Sequence, residues 1–251
     1  MKIKKILVSQ PEPKDGKSPY IELAEKNGFL VEFRPFIKVE GVPSKEFRKQ
    51  KVNINDFSAV IFNSKVAIDH FFRIVNDLKI AVPETMKYFC ISESVALYLQ
   101  KYIVYRKRKI FYANNVMDEL IVLLAKHKSD KFLVPVSDIH NDDIPNRMVK
   151  AKLEYGKAVM YRTVSSDLSD INQEEYDMFI FFSPEGIKSL FHNFPNFEQK
   201  DIKIGSFGLS TAQAVKDAGL RLDIQAPLPH LPSMASALEH FIKDAPKSNR
   251  K

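Results

Sequence analysis

Short apolar runs alternate with amphipathic stretches along the whole chain. Residues 6–8, 30–33, 59–62, 88–91, 132–134, 178–182 and 204–207 each have the length and the β-branched or aromatic content of a buried strand. The stretches between them carry helical periodicity. In residues 20–28, for example, Ile21, Leu23 and Ala24 give an apolar face and Gly28 a carboxyl-terminal cap. Strands alternating with helices predict parallel sheets covered on both faces.

The chain also resembles itself. The segment from Asp56, DFSAVIFNSKVAIDHFF, matches that from Tyr176, YDMFIFFSPEGIKSLF, so that Ser64 and Ser183 end equivalent strands. At a spacing of about 118 residues the register continues, with Ser94 matching Thr211 and Met117 matching Met234. The remaining pieces, from Lys4 and from Lys131, both read strand, loop, helix, glycine, strand. Two similar lobes are expected. Extended, aperiodic stretches at residues 34–40 and 159–164 lie at equivalent points of the repeat and are the natural crossovers. The first lobe is then discontinuous, made of residues 1–36 and 165–245. Residues 37–164 form the second lobe with the crossover strands, and 246–251 form a flexible tail. Such lobes bind ligands at the carboxyl ends of their strands, here in a cleft between them with hinge motion about the double connection.

Composition narrows the function. With 251 residues, 45% hydrophobic and 27% charged, the chain is globular rather than disordered or coiled coil. A single cysteine, Cys90, excludes a disulfide framework, a four-thiolate zinc site and CxxC redox chemistry, and suits a cytoplasmic protein. The start, residues 1–8, begins like a signal peptide, but Ser9, Gln10 and Pro11 end the apolar run. No stretch approaches ~18 apolar residues, so no membrane span is predicted. The net charge of +7 favours an anionic partner: nucleic acid, an acidic membrane or a polyanionic small molecule.

Hydroxyl residues recur at the strand-to-helix turns: Ser9, Ser64 and Ser94 in one set, Ser137, Ser183 and Thr211 in the other. A hydroxyl beside the free N–H groups of a first helical turn can hold a carboxylate or phosphate. The competing reading is ordinary amino-terminal capping, and Ser183-Pro184-Glu185 is a cap followed by proline at the first helical position. For any one of these residues capping alone comes first; recurrence in register on both lobes is what speaks for binding. The six histidines lack metalloprotease spacing, and residues 138–143, though rich in Asp, read as turn chemistry, so no metal is expected. Dinucleotide and P-loop glycine fingerprints and a GxSxG elbow are absent. The basic run at residues 105–109 leads into 110–112, an edge strand that its Lys and Arg side chains protect from pairing; no base-stacking platform accompanies it. Cys90 reads as a small core residue. Tyr161, in the second crossover, either reaches the cleft or packs the hinge.

These residues resemble the uroporphyrinogen-III synthase family over nearly the whole chain. The resemblance rests on Phe182-Ser183-Pro184, on Gly208-Leu209-Ser210-Thr211-Ala212, on the small-residue helix Ala235-Ser236-Ala237-Leu238 and on the crossover Met160-Tyr161-Arg162-Thr163. It implies two flavodoxin-like α/β lobes, each of three layers with a parallel sheet, joined by a two-stranded ladder. It also implies a reaction on hydroxymethylbilane, a linear tetrapyrrole with eight carboxylates. Loss of the terminal hydroxyl as water gives an azafulvene cation, which attacks ring D at its substituted carbon. The spiro intermediate fragments and recloses with ring D inverted, as uroporphyrinogen III. No cofactor or metal is implied, since the substrate cyclises spontaneously to the type I isomer and the protein need only orient it. On this resemblance Ser64, Ser94, Ser183, Gly208, Ser210 and Thr211 bind substrate, and Tyr161 donates a proton or hydrogen bond to the departing hydroxyl.

The sequence departs from the family pattern where Ile91 replaces a glycine, where Asn63-Ser64-Lys65 stands for Thr-Ser-Pro, and where Asp138, Asp142 and Asp143 would repel a polycarboxylate. A catalytically impaired homologue that binds an anionic ligand is therefore the alternative, and a nucleic-acid-binding protein, supported by charge alone, is third. The expected state is a monomer with transient contact to the preceding pathway enzyme, and no nucleic acid or membrane as partner.

Overall fold

The structure, a computed structural model, describes residues 3–140 and 142–244. Its elements run in the order β1 (Lys5–Val8), α1 (Pro19–Asn27), β2 (Leu30–Phe33), β3 (Ile37–Gly41), α2 (Ser44–Lys49), β4 (Ala59–Phe62), α3 (Lys65–Asp77), β5 (Lys87–Cys90), α4 (Glu93–Tyr98) and β6 (Ile110–Tyr112). There follow α5 (Met117–Ala125), β7 (Phe132–Ser137), α6 (Asp143–Lys150), β8 (Tyr155–Ser165), β9 (Met178–Phe181), α7 (Pro184–Asn193), β10 (Lys203–Phe207), α8 (Leu209–Asp217), β11 (Ile224–Ala226) and α9 (Met234–Asp244). The chain divides into two compact units, one built up to Lys38 and from Val164 onward, the other of Val39–Thr163. The tail expected at 246–251 lies outside the described residues. No helix among the described residues is long and apolar enough to cross a membrane.

The first unit holds a sheet in the order β11-β10-β9-β1-β2, all neighbours parallel. Helices α1 and α9 bury Tyr20, Leu23, Met234 and Leu238 on one face, and α7 and α8 bury Ile187, Leu190 and Val215 on the other. In α1 the inward residues are Tyr20, Leu23 and Ala24; Ile21, predicted to face inward, is only half-buried. Gly28 ends that helix as predicted, at φ 70°, with its N–H donating to the Ala24 carbonyl at 2.8 Å. The second unit holds a six-stranded sheet in the order β3-β8-β7-β4-β5-β6. Aligning the repeat sets β6, β5, β4, β7 and β8 against β11, β10, β9, β1 and β2. The two sheets therefore have the same strand order, and the internal duplication is a duplication of topology.

Both crossover stretches are strands. β3 and β8 are neighbours whose ends are marked by the bonds Ser166 N–H to Phe36 O (2.9 Å) and Val42 N–H to Met160 O (3.0 Å), so they run antiparallel. Residues 30–33 form the predicted strand, but β2 is an edge strand rather than a buried one, and Leu30 is 68% exposed. β11 carries too few apolar residues for the pattern to show, being three residues long. β6 is the sheet edge its basic neighbours predict.

Phenylalanine fills both cores. Phe62 in β4 meets Phe71 of α3 edge-on at 5.5 Å between ring centroids and stacks with Tyr88 of β5 at 6.2 Å; in the first unit Phe36, Phe179 and Phe181 make an equivalent edge-to-face cluster. Cys90 is fully buried at the end of β5, and burial pushes its thiol up to about 12, which makes it an inert core residue.

Ser206 in β10 is completely buried, and its hydroxyl has no hydrogen-bond partner. An unmatched hydroxyl in the core opposes folding. Ser206→Ala is expected to leave stability unchanged or raise it by up to about 1 kcal/mol, as read by urea unfolding. A loss of about 1 kcal/mol or more would show that the hydroxyl is satisfied in solution.

Candidate active site

The carboxyl ends of the parallel strands open onto helix amino termini, and the sequence repeat is most exact there. Ser64 caps α3 at φ −159°, ψ 159°, its Oγ accepting from Ala67 N–H at 3.1 Å. Ser183 caps α7 at φ −152°, ψ 154°, with Oγ accepting from Gly186 N–H at 3.2 Å. In each case the hydroxyl proton is left for another acceptor, so capping and ligand binding are compatible. Gly186, not singled out by the sequence, is buried in the first turn: a Cβ there would lie 3.3 Å from Phe181 Cδ1, 3.7 Å from Ser183 Oγ and 3.9 Å from Ser9 Oγ.

The second pair of turns is less alike. Gly208 caps α8 at φ 92°, a conformation open to glycine, and its N–H donates to the Ala226 carbonyl at 2.7 Å. That amide is therefore occupied, and the donors available at this turn are those of Leu209 and Ser210, whose side chains are exposed. Thr211 is 1% exposed and packs beneath the Gly208 turn rather than facing solvent. In the other unit Ile91 cannot take the glycine conformation, and the helix is capped one position later. Ser92, not Ser94, accepts from Val95 N–H at 3.4 Å. Ser94 is an exposed residue of the first turn whose hydroxyl lies 3.1 Å from that of Ser92, so the capping open to it in the sequence falls to Ser92.

Tyr161 is placed by an irregularity in β8. The pairing of β7 with β8 runs in step to Val136 opposite Val159, then shifts so that Ser137 faces Tyr161. The extra residue, Met160, sends its side chain into the core. The Tyr161 ring stacks on His70 of α3 at 5.2 Å between centroids and 18° between planes. Burial pushes the phenol above its ordinary value, and the nearby Ser64 hydroxyl pulls it back in part. Tyr161 is thus protonated at neutral pH and sits beside a predicted substrate-binding serine. Burial, and then the Arg73 charge, hold His70 below its ordinary value, so its imidazole is neutral. Nothing in its spacing separates His70 from the other histidines, because what brings it to Tyr161 is the return of β8.

The acidic loop after β7 does not present free carboxylates. Asp138 accepts from Ser137 Oγ (2.9 Å), Ile139 N–H (2.9 Å) and Thr163 N–H (3.1 Å). Burial alone would raise its carboxyl, but these bonds outweigh burial and keep it below the usual range. Asp142 pairs with Lys157 at 2.8 Å, and Asp143 with Arg147 at 2.7 Å. Repulsion of a polycarboxylate is therefore largely cancelled locally. Asn141 of this loop lies outside the described residues. Among the described residues no group of three or more His, Cys, Asp or Glu is placed to hold a metal ion. Lys65, the first residue of α3 and the lysine that stands where the family pattern has proline, is a cation beside Ser64; its ammonium lies 5.5 Å from the centre of the Tyr98 ring.

Two parallel-sheet units of one strand order, with hydroxyl residues at their helix starts, place the protein in the class of duplicated doubly wound α/β proteins. Similar architecture occurs in uroporphyrinogen-III synthetase from Helicobacter pylori, with a TM-score of 0.59 at 18% identity, covering 96% of this chain and 99% of that one. It occurs also in a mutant uroporphyrinogen III synthase from Thermus thermophilus, with a TM-score of 0.50 at 16% identity, covering 96% and 99%. At such identities the likeness is one of fold. None of the curated proteins matches the sequence at a significant level. The family model for uroporphyrinogen-III synthase matches residues 18–236, and the chain belongs to that family, which serves tetrapyrrole biosynthesis.

The neutral His70 carries a signature in stability. Its ordinary value is 6.5 and its folded value is lower, so the unfolded chain takes up the proton first. This contribution is undiminished above the ordinary value and is lost progressively as pH falls through it towards the folded value. His70→Phe removes the group, so the stability lost between about pH 7.5 and about pH 5.5 should be smaller in the variant than in the parent. Equal losses in urea unfolding at the two pH values would show that His70 titrates normally.

Proposed function

We propose that this chain is a uroporphyrinogen-III synthase that converts hydroxymethylbilane to uroporphyrinogen III by loss of water, inversion of ring D and ring closure, without a cofactor. The observation that carries the reading is the family match over residues 18–236. The chemistry asks for orientation more than for reactive groups, because the substrate dehydrates and cyclises unaided to the type I isomer. The residues at the strand ends suit that task. Ser64 and Ser183 have hydroxyl protons to give, Ser94 and Ser210 are exposed in first helical turns, and Gly208 leaves the backbone beside it uncovered. These groups hold substrate carboxylates, with Thr211 supporting the Gly208 turn from beneath. The net charge of +7 favours capture of an octa-anion.

Tyr161 donates a hydrogen bond or proton to the departing hydroxyl. A phenol raised by burial is a weak acid, so its contribution is expected to be modest. The azafulvene cation it helps to form is then held so that the substituted carbon of ring D is nearer than the free one. We place the protein in the cytoplasm as a monomer, the substrate being its partner and passing to it from the preceding enzyme.

Two outcomes test this. Hydroxymethylbilane generated in place with the protein present should yield, after oxidation and chromatography, mostly the type III isomer in proportion to added protein; type I alone from folded protein would leave a binding homologue. Tyr161→Phe should lower kcat by about tenfold with KM changed by less than about twofold, and unchanged kcat would remove the proton-donor role.

A further inference from the structure

We propose that His70 is a positioning residue for Tyr161, held in place by Arg73; the proposal rests on the reading of Tyr161 as proton donor. The chain of contacts lies within the second unit. Arg73, one turn beyond His70 on α3, donates from Nε to His70 Nδ1 at 3.3 Å. Its Nη2 donates to the Val42 carbonyl at 2.8 Å and to the Met160 carbonyl at 3.0 Å, and its Nη1 to Asp77 at 3.1 Å. The guanidinium has room to reach those carbonyls because position 41 is glycine: a Cβ there would lie 2.4 Å from Arg73 Nε. One planar group thus grips the backbone at the end of β3, the bulged residue before Tyr161, and the edge of the imidazole.

The consequence for Tyr161 is geometric. An imidazole whose Nδ1 accepts from Arg73 carries its proton on Nε2 and is neutral, so it meets the phenol ring as a flat plate. The plate covers one face of the ring at 5.2 Å and confines its rotation, while the Met160 carbonyl fixes where the Tyr161 backbone begins. The hydroxyl is thereby kept beside Ser64. A displacement of even about 1 Å at such a group lowers turnover by as much as two orders of magnitude, so a fixed ring has kinetic value. A residue serving packing alone would need neither the stacked plane nor the bond to Arg73.

The test is a double-mutant cycle read through isomer III formation. His70→Ala should lower kcat by about tenfold with KM within about twofold of the parent, and His70→Phe, which keeps a plate, should recover to within about threefold. In the Tyr161→Phe background His70→Ala should cost nothing further. A His70→Ala loss of the same size in that background, a His70→Phe variant as slow as His70→Ala, or a His70→Ala variant at the parent rate would each overturn the positioning role. Tyr161→Phe at the parent rate would instead overturn the proton-donor reading on which the proposal stands, so the two failures are distinguishable. Ring-labelled tyrosine NMR provides a readout apart from turnover. The Tyr161 signal, identified by its loss in Tyr161→Phe, should move in His70→Ala while the other eight of the nine tyrosines stay in place. Movement of all of them would show that His70 serves the fold at large, which overturns the proposal as well.

Discussion

Parallel strands keep their partners in step, and β7 and β8 do so from Phe132 opposite Tyr155 to Val136 opposite Val159, after which one residue is left over. That residue, Met160, has its side chain in the core and its carbonyl turned to two donors, Val42 N–H and Arg73 Nη2. Beside it the side-chain amide of Gln50 mimics a strand, accepting from Val159 N–H at 2.9 Å and donating to its carbonyl at 2.8 Å. The Met160 carbonyl and both backbone groups of Val159 therefore keep partners where the ladder breaks, as buried backbone requires. It ends the parallel pairing just where the chain must begin to pair with β3, and it delivers Tyr161 to His70. Bulges commonly re-aim a side chain at the end of a ladder, and here the re-aimed residue is the one to which the chemistry is assigned.

Duplication supplies matching helix starts in the two units and also their asymmetry. Ser64 and Ser183 have the same cap conformation and the same bond to the third residue on, because nothing between their strands and helices differs in backbone demand. At the next turn the two copies part. Gly208 takes a positive φ and leaves an uncovered backbone, whereas Ile91 cannot and passes the cap to Ser92. One copy thus begins its helix on a glycine backbone and the other on a side-chain hydroxyl. The acids after β7, which look hostile to a polycarboxylate in sequence, are each matched by a backbone donor or a cation close at hand.

Most of the architecture was legible in the sequence because it is written in short-range patterns. Buried strands such as 59–62 and 178–182 are continuous apolar runs, and the repeat makes each half a check on the other. The failures have physical causes. Residues 30–33 have strand composition but sit at a sheet edge, which composition does not reveal. Ile224–Ala226 is too short to carry a period. Ser94 aligns with Thr211, but alignment follows evolutionary register, while capping follows which backbone can take the required φ and ψ, and here that residue is Ser92. The cap serines 64 and 183 were readable from local chemistry. The neighbourhood of Tyr161 was not, since His70, Arg73 and Gly41 are joined to it through a strand returning from far along the chain.

The order of the sheets has a consequence for how the polypeptide is made. In the first unit β1 lies between β2 and β9, so that Ile6, Leu7 and Val8 pair with Met178, Phe179 and Ile180. A ribosome has therefore to synthesise the whole of Val39–Thr163 before the oldest strand acquires its second neighbour. The second unit, whose sheet draws on a nearly continuous stretch, is complete while β1, α1 and β2 still wait with one flank of their small sheet open. Contacts of such sequence separation form late and slowly, and an unpaired apolar strand is the part of a nascent chain most exposed to misassociation. Lys5, the first residue of the strand, meets Glu32 of β2 at 3.2 Å, so the early β1–β2 pair carries an ion pair of its own.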